Sequence, residues 1–453
     1  MKNNTLLPVA ALCTLLGSVS LSSHSETLLE IYELATENDR EYKANIARFN
    51  ADREAVNIAR SDLLPQIIGS ASYSDEDSDT SGTIDGVSAN SDTSSDTTRY
   101  SISLEQTIIN FNALNNYRGG KIRTAAAEVQ LAADKQNLII RSAQAYFDVL
   151  SAIDQLRTSQ AEEKALATQL EQTRQRYEVG LISINDVYET QAAYDSSVAD
   201  RISAEVNVGI QLEGLTILTG KTHSSIAPLK DDFIASYPSP NNKQTWIDAA
   251  KKSNLSLQVS KLNADAAVYD VKASRGNRLP TLKGSLSYGN SDTDRSGTST
   301  RDTDTDTTTI GLDLSIPIYT GGSLTALQRQ AVQNQIEARE RFLLAQRNTI
   351  QSTRTIFLEV TTNIAQIKAR KQAILSNESA LEATKAGYEA GTRDIVDVVN
   401  AQRNLFQAQR DYFTTLYDYI VNTLELKEVA GTLAMKDLQE LESWLQESKE
   451  ITY

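Results

Sequence analysis

Few side chains in this 453-residue sequence have the type and spacing to do covalent chemistry. The nearest approach to a ligand set is Asp302, Asp304 and Asp306, which alternate like the start of a calcium loop. Such a loop needs glycine at its sixth position for a sharp turn, and Thr307 stands there. Its twelfth position would be Asp313, inside a strand-like run. Asp75, Asp77 and Asp79 fail in a similar way, so both runs read as solvated loops. His223 stands alone in a linker, and no Gly-Xaa-Ser-Xaa-Gly elbow accompanies it. No phosphate-binding glycine loop is evident, so energy for any transport must come from partners. No catalytic residue, metal site or cofactor is expected, and an enzyme is not the reading.

The first 25 residues have another purpose. Lys2 precedes a short apolar stretch from Leu6 to Leu21, and Ser23-His24-Ser25 is a small-residue exit. Residues 1–25 therefore read as a signal peptide cleaved near Ser25. Leu12 precedes Cys13 where a lipoprotein signal wants a small residue, so lipidation is not expected. With Cys13 removed the mature chain has no thiol for a disulfide or a thiolate metal site. The formal net charge is −15. That charge disfavours nucleic acid, which is gripped by clustered Lys and Arg.

The elements that must position any functional side chain are written twice. Leu64-Pro65 followed by Tyr73 recurs as Leu279-Pro280 followed by Tyr288. Ala35, Ala51, Val56 and Arg60 fall on Ala250, Ala266, Val271 and Arg275 at the same offset. Tyr177, Gly180, Asp186, Val187 and Gln191 fall on Tyr388, Gly391, Asp397, Val398 and Gln402. The repeats are residues 26–220 and 244–432, joined by a linker at 221–243 that contains Pro228, Pro238 and Pro240, and followed by a C-terminal segment at 433–453. Each repeat predicts a helix (about 27–60 and 245–275), two strands (about 65–110 and 280–319) split by a Ser/Thr/Asp loop, then a long helical hairpin.

The strands alternate. Ile310, Leu312, Leu314, Ile316 and Ile318 share one face, and Gly311, Asp313, Ser315 and Pro317 the other. Period two fits either a half-buried soluble sheet or a membrane barrel with lipid outside. Four strands cannot close a barrel, and open edges are not tolerated in lipid, so a membrane reading requires several protomers to share one. Leu114 to Gly180 would run about 100 Å as one helix. Leu131, Leu138, Ala145 and Ala152 repeat every seven residues, as do Ile140 and Phe147, which suits coiled-coil packing. The long helices favour an architecture that is mainly α with membrane β, and they imply a rod, a bundle or a tube rather than a globule. A periplasmic coiled-coil scaffold or adaptor is the alternative.

The sequence resembles the TolC outer-membrane efflux proteins. The resemblance is carried by Leu63-Leu64-Pro65, by Pro317-Ile318-Tyr319-Thr320-Gly321-Gly322, and most strongly by Gly387-Tyr388-Glu389-Ala390-Gly391-Thr392-Arg393-Asp394-Ile395-Val396-Asp397-Val398. Arg176-Tyr177-Glu178-Val179-Gly180-Leu181-Ile182-Ser183-Ile184-Asn185-Asp186-Val187 is its partner in the first repeat. It implies a homotrimer with a twelve-stranded β-barrel in outer-membrane lipid and a helical tunnel in the periplasm. The expected partners are a periplasmic adaptor and an inner-membrane transporter. The duct would serve efflux, type I secretion or both.

The resemblance also implies residue roles. Asp397 would form a constriction ring with mutually raised carboxyl pKa values. Asn400, one turn later, replaces a second charged ring. A solvated helix-face carboxylate is the plainer reading of Asp397. Tyr388 would hydrogen-bond Asp186, and Arg393 would reach Asp186 and Asn185, closing the tunnel. Hydrogen bonds to charged groups are worth roughly 1.5–3 kcal/mol each. Three symmetric sets would exceed the roughly 5.5 kcal/mol that swings a two-state population from 1:99 to 99:1. A partner that breaks them would untwist the inner helices. Val179, Gly180 and Leu181, with Ala390, Gly391 and Thr392, would be the adaptor-docking tips.

Overall fold

The computed structural model describes residues 26–84, 86–297, 301–446 and 451–452. The expected signal peptide, residues 1–25, lies outside the described residues. The first repeat runs α1 (Leu28–Asn38), α2 (Arg40–Arg53), α3 (Ala55–Ser61), β1 (Gln66–Ile84), β2 (Val87–Ile109), α4 (Phe111–Glu178) and α5 (Ile184–Thr219). A short β3 (Ser225–Ile226) lies in the linker. The second repeat runs α6 (Lys243–Ser253), α7 (Leu255–Gly276), β4 (Thr281–Gly297), β5 (Thr303–Ser315), α8 (Ser323–Glu389) and α9 (Ile395–Val429). The chain then forms α10 (Met435–Glu442) and β6 (Ile451–Thr452).

The single helices expected before each strand pair are broken. Asp39 ends α1 in a non-helical conformation, and its carboxylate accepts hydrogen bonds from the N–H groups of Glu41 and Tyr42 to start α2. Asn254, its counterpart in the second repeat, ends α6 and caps α7 through the N–H of Leu257. Short polar side chains that can accept from exposed helix N–H groups favour this change of direction. Arg141 anchors the first break by pairing with Asp39 at 2.5 Å.

One antiparallel sheet has the order β1-β2-β4-β5. The Ser/Thr/Asp segments expected as loops at about 75–98 and 290–307 are largely strand. Pairing of β1 with β2 continues without a break from Gln66↔Glu105 to Ile84↔Val87, and β4 pairs with β5 up to Thr293↔Thr303. The pleat suits Thr, and hydroxyls bond across it, as in Ser70 with Ser101 at 2.7 Å and Thr97 with Thr293 at 3.2 Å. The 23 residues of β2 extend roughly 75 Å at ~3.3 Å per residue. Even tilted by about 45°, that is about twice the apolar band of an outer-membrane barrel. At the other end β5 stops at Ser315, so Ile316 and Ile318 are not strand residues. Pro317 lacks the N–H a continuing ladder would need.

The apolar face of the sheet is bare. Ile310, Leu312 and Leu314 are 81%, 74% and 63% exposed, and Ile67 and Ile102 on the same face are also exposed. A soluble sheet would bury that face, so the alternation is that of a lipid-facing surface. Among the described residues no helix is long and apolar enough to cross a membrane.

The hydrophobic core is a belt at mid-height of the long helices. Leu138, Phe147 and Ala152 of the seven-residue series are buried there with Leu28, Ile31, Leu215, Ile420 and Leu424, while Leu131 and Ala145 pack at its margin. Phe147 meets Tyr146 edge-on at 5.4 Å and stacks on Tyr417 at 5.9 Å. The Tyr417 hydroxyl donates to Asp154 at 2.6 Å, and Arg157 pairs with the same carboxylate at 3.1 Å. The linker and the C-terminal segment wrap the belt: β3 pairs with β6, Ile226 bridges Glu26, and Leu229 bridges Leu445. His223 is not isolated. Its ring is fully buried, bonded to Glu26 and, at 2.6 Å, to the hydroxyl of Thr219.

Candidate functional site: the hairpin tips

Both long hairpins turn in the same way. After α4, the N–H of Gly180 donates to Tyr177 O and that of Leu181 to Arg176 O. After α8, the N–H of Gly391 donates to Tyr388 O and that of Thr392 to Gly387 O. This paired closure satisfies the last carbonyls of a helix and needs one residue with positive φ. Gly180 and Gly391 supply it at +76° and +74°. The turns leave Val179 and Leu181 at 70% and 71% exposed, with Gly180, Ala390, Gly391 and Thr392 exposed as well. The first tip also presents Tyr188, 66% exposed, which the sequence reading did not single out.

The helices that follow start at equivalent positions with different chemistry. In α5 the N-cap is Ser183, and the carboxylate of Asp186 accepts from the Ser183 N–H at 3.3 Å to complete a reciprocal cap. In α9 the N-cap is Asp394, which accepts from the Asp397 N–H at 2.9 Å. Asp397 is therefore free to pair elsewhere. Arg393 reaches it at 3.4 Å, with side chains 60% and 41% exposed. At that exposure the pair contributes no more than about 1 kcal/mol. Asn400 lies one turn further on and is exposed.

Within one protomer the expected closing links are not made. The Tyr388 hydroxyl is buried with no hydrogen-bond partner, so it does not bond Asp186. Arg393 pairs with Asp397 rather than with Asp186 or Asn185. The physical reason is local competition. A carboxylate in the first turn of a helix is held by its own cap and by the positive helix end. Arg393 finds a carboxylate four residues along its own chain. Asn185 donates its backbone N–H to Ser183 Oγ at 3.0 Å.

Two further features were not read from the sequence. Arg176 lies over the Tyr388 ring at 4.9 Å, and Gln402, 3% exposed, has an unpartnered Oε1. Higher on the helices, burial raises the carboxyl pKa values of Asp148, Asp418, Glu425 and Glu428, with repulsion from Glu425 adding to the burial of Glu428. A carboxyl whose pKa is raised by folding destabilises the fold when ionised. The penalty is absent below its unfolded value and grows as pH rises through its folded value. Glu428→Gln is thus expected to raise the apparent melting temperature at pH 7.5, and the gain should shrink toward pH 4. A melting series over that range checks it, and a gain independent of pH would assign the effect to packing.

Comparison with known proteins shows the family and the fold. A family model described as outer membrane efflux protein matches residues 31–221 and 246–432. The chain is 34% identical over 436 residues to the outer membrane protein TolC of Vibrio cholerae, covering 96% of this chain and 97% of that one. It is 28% identical to the alkaline protease secretion protein AprF of Pseudomonas aeruginosa, over 91% and 86% of the two chains. Among solved structures, the Campylobacter jejuni CmeC outer membrane channel superposes with a TM-score of 0.75 at 18% identity, covering 98% of this chain and 99% of that one.

Proposed function

This chain belongs to the outer membrane efflux protein family, and we propose that three copies of it form a gated exit duct whose mouth is set by the two hairpin tips. It is an outer-membrane channel that extends into the periplasm and serves as an exit duct for efflux and type I secretion. The observation that carries the trimer is the four-stranded sheet with an apolar exposed face and free edges at β1 and β5. Edges left open in lipid cost several kcal/mol per unpaired backbone group, and twelve strands from three protomers leave none. Long helix faces that bury little within one chain support the same assembly: of its 67 residues, α8 buries Thr353, Phe357, Val360 and Leu381.

In this reading the three Asp397 carboxylates, with Asn400 behind them, line the narrow mouth. The closed state exchanges partners: Arg393 leaves Asp397 for Asp186 and Asn185 on a neighbouring helix, and Tyr388 brings its free hydroxyl to Asp186. The exposed Val179-Gly180-Leu181 and Ala390-Gly391-Thr392 turns receive a periplasmic adaptor, which links the duct to an inner-membrane transporter and untwists the inner helices. The test is reconstitution of the purified protein in a planar bilayer. A detergent-extracted trimer with discrete single-channel steps is expected. A protein that needs no detergent and never inserts would overturn the channel and favour a periplasmic scaffold.

A further inference from the structure

Among the described residues, four buried side-chain polar atoms lack a hydrogen-bond partner, and two of them line one groove. These are Tyr388 OH and Gln402 Oε1, in a cavity of about 880 Å³ between the last turns of α4 and α8 and the second turn of α9. Buried polar atoms left unpaired are rare, and each costs on the order of a hydrogen bond. The volume is within the roughly 300–1,000 Å³ of small-ligand sites. The groove is also basic in an acidic chain. Lys164, Arg176 and Lys385 line it against the single carboxylate of Glu389, whereas the whole chain carries a formal charge of −15.

We propose that this groove binds a polyhydroxylated carboxylate, a sugar acid in chemical class. Each demand of the site selects part of that chemistry. The three cations call for an anion. Gln402 Oε1 accepts only, so the ligand must bring a donor such as a hydroxyl group. Tyr388 OH can donate to the carboxylate or a ring oxygen. The remaining walls are mainly alanine, threonine and glutamine, so an aromatic or lipid-like anion would gain little apolar burial. An occupied groove would hold the Tyr388 hydroxyl and so compete with its proposed link to Asp186, while the three cations and Gln402 would receive the ligand whether or not that gating scheme holds.

The experiment is titration calorimetry of the full-length trimer in detergent with trigalacturonate, using maltotriose as a neutral trisaccharide rich in hydroxyl groups. One saturable site per protomer is expected for trigalacturonate, with maltotriose at least tenfold weaker. Lys164→Gln and Lys385→Gln should each weaken binding about tenfold, as loss of a charge-assisted hydrogen bond does. Gln402→Leu should weaken it severalfold. Arg341→Gln, in an exposed ion pair elsewhere on α8, should leave it unchanged. No saturable binding to the wild-type trimer would overturn the proposal. So would equal affinity for maltotriose, or lysine variants that bind like wild type. The wild-type arm is free of any folding defect in the variants.

Discussion

Arg393→Ser and Asp397→Ala are expected to shift the ion selectivity of the channel in opposite directions. The two side chains form a pair 3.4 Å apart at the start of α9, so in the open state of the proposed gate each protomer would bring a nearly neutral couple to the mouth, and the selectivities are compared in that state. Removing Arg393 leaves three bare carboxylates. Removing Asp397 leaves three bare guanidinium groups. In water a unit charge about 7 Å from a passing ion is worth ~0.6 kcal/mol, so three together exceed the 1.4 kcal/mol that corresponds to a factor of ten. Reversal potentials in a tenfold salt gradient should show the cation-to-anion permeability ratio rising about tenfold for Arg393→Ser. For Asp397→Ala it should fall by a similar factor. Arg393→Ser should also enlarge the resting conductance, because the same residue is assigned to closure. Unchanged selectivity in Asp397→Ala would move the constriction away from this residue. Unchanged conductance in Arg393→Ser would remove it from the closing links.

The second large effect is on stability. Phe147→Ala should cost about 3–5 kcal/mol, the usual penalty for deleting a buried aromatic ring. Phe147 is 1% exposed, packed between Tyr146 and Tyr417. Its loss would also loosen the hydrogen bond that Tyr417 donates to the buried Asp154 carboxylate. The belt is where the linker, the C-terminal segment and four long helices meet, so the loss should reach the whole periplasmic part. Thermal melting of the extracted trimer, followed by helical circular dichroism, measures it. Val396→Ala, at a 40% exposed position near the tip, serves as the comparison and should change little. Equal melting of the two variants would mean that the belt does not limit stability.

Much of this fold was legible because it is written twice. Pro65 and Pro280 mark the entries to the strands. Tyr177-Glu178-Val179-Gly180 and Tyr388-Glu389-Ala390-Gly391 mark the tips, and the offsets between them fix two matching halves. What escaped has physical causes. Serine, threonine and aspartate are the usual loop residues, so the upper halves of β1 and β2 looked like loops. Only the neighbouring strand, with its continuous ladder, makes them sheet. Asp39 and Asn254 lie inside segments that read as single helices, and only the structure shows their side chains ending one helix and capping the next. At the tips the resemblance implied closing roles for Asp186, Tyr388 and Arg393. It did not indicate that Asp186 would be held by the cap of its own helix, although Ser183 three residues earlier carries that signal. The unpartnered Gln402 Oε1 depends on packing between distant helices, and nothing local announces it.

The strand order also governs assembly. The central pairing joins β2 to β4, so Tyr100 lies opposite Asn290 and the sheet cannot form until most of the chain has been made. Contacts this far apart in sequence are slow to form, because loop-closure entropy must be overcome first. Even then the sheet of one protomer has two open edges, and lipid does not accept them. Trimerisation in the aqueous compartment must therefore precede or accompany insertion. The rate at which new channels appear should then depend steeply on protomer concentration, with unassembled subunits waiting in the periplasm and their greasy sheet faces in need of chaperones.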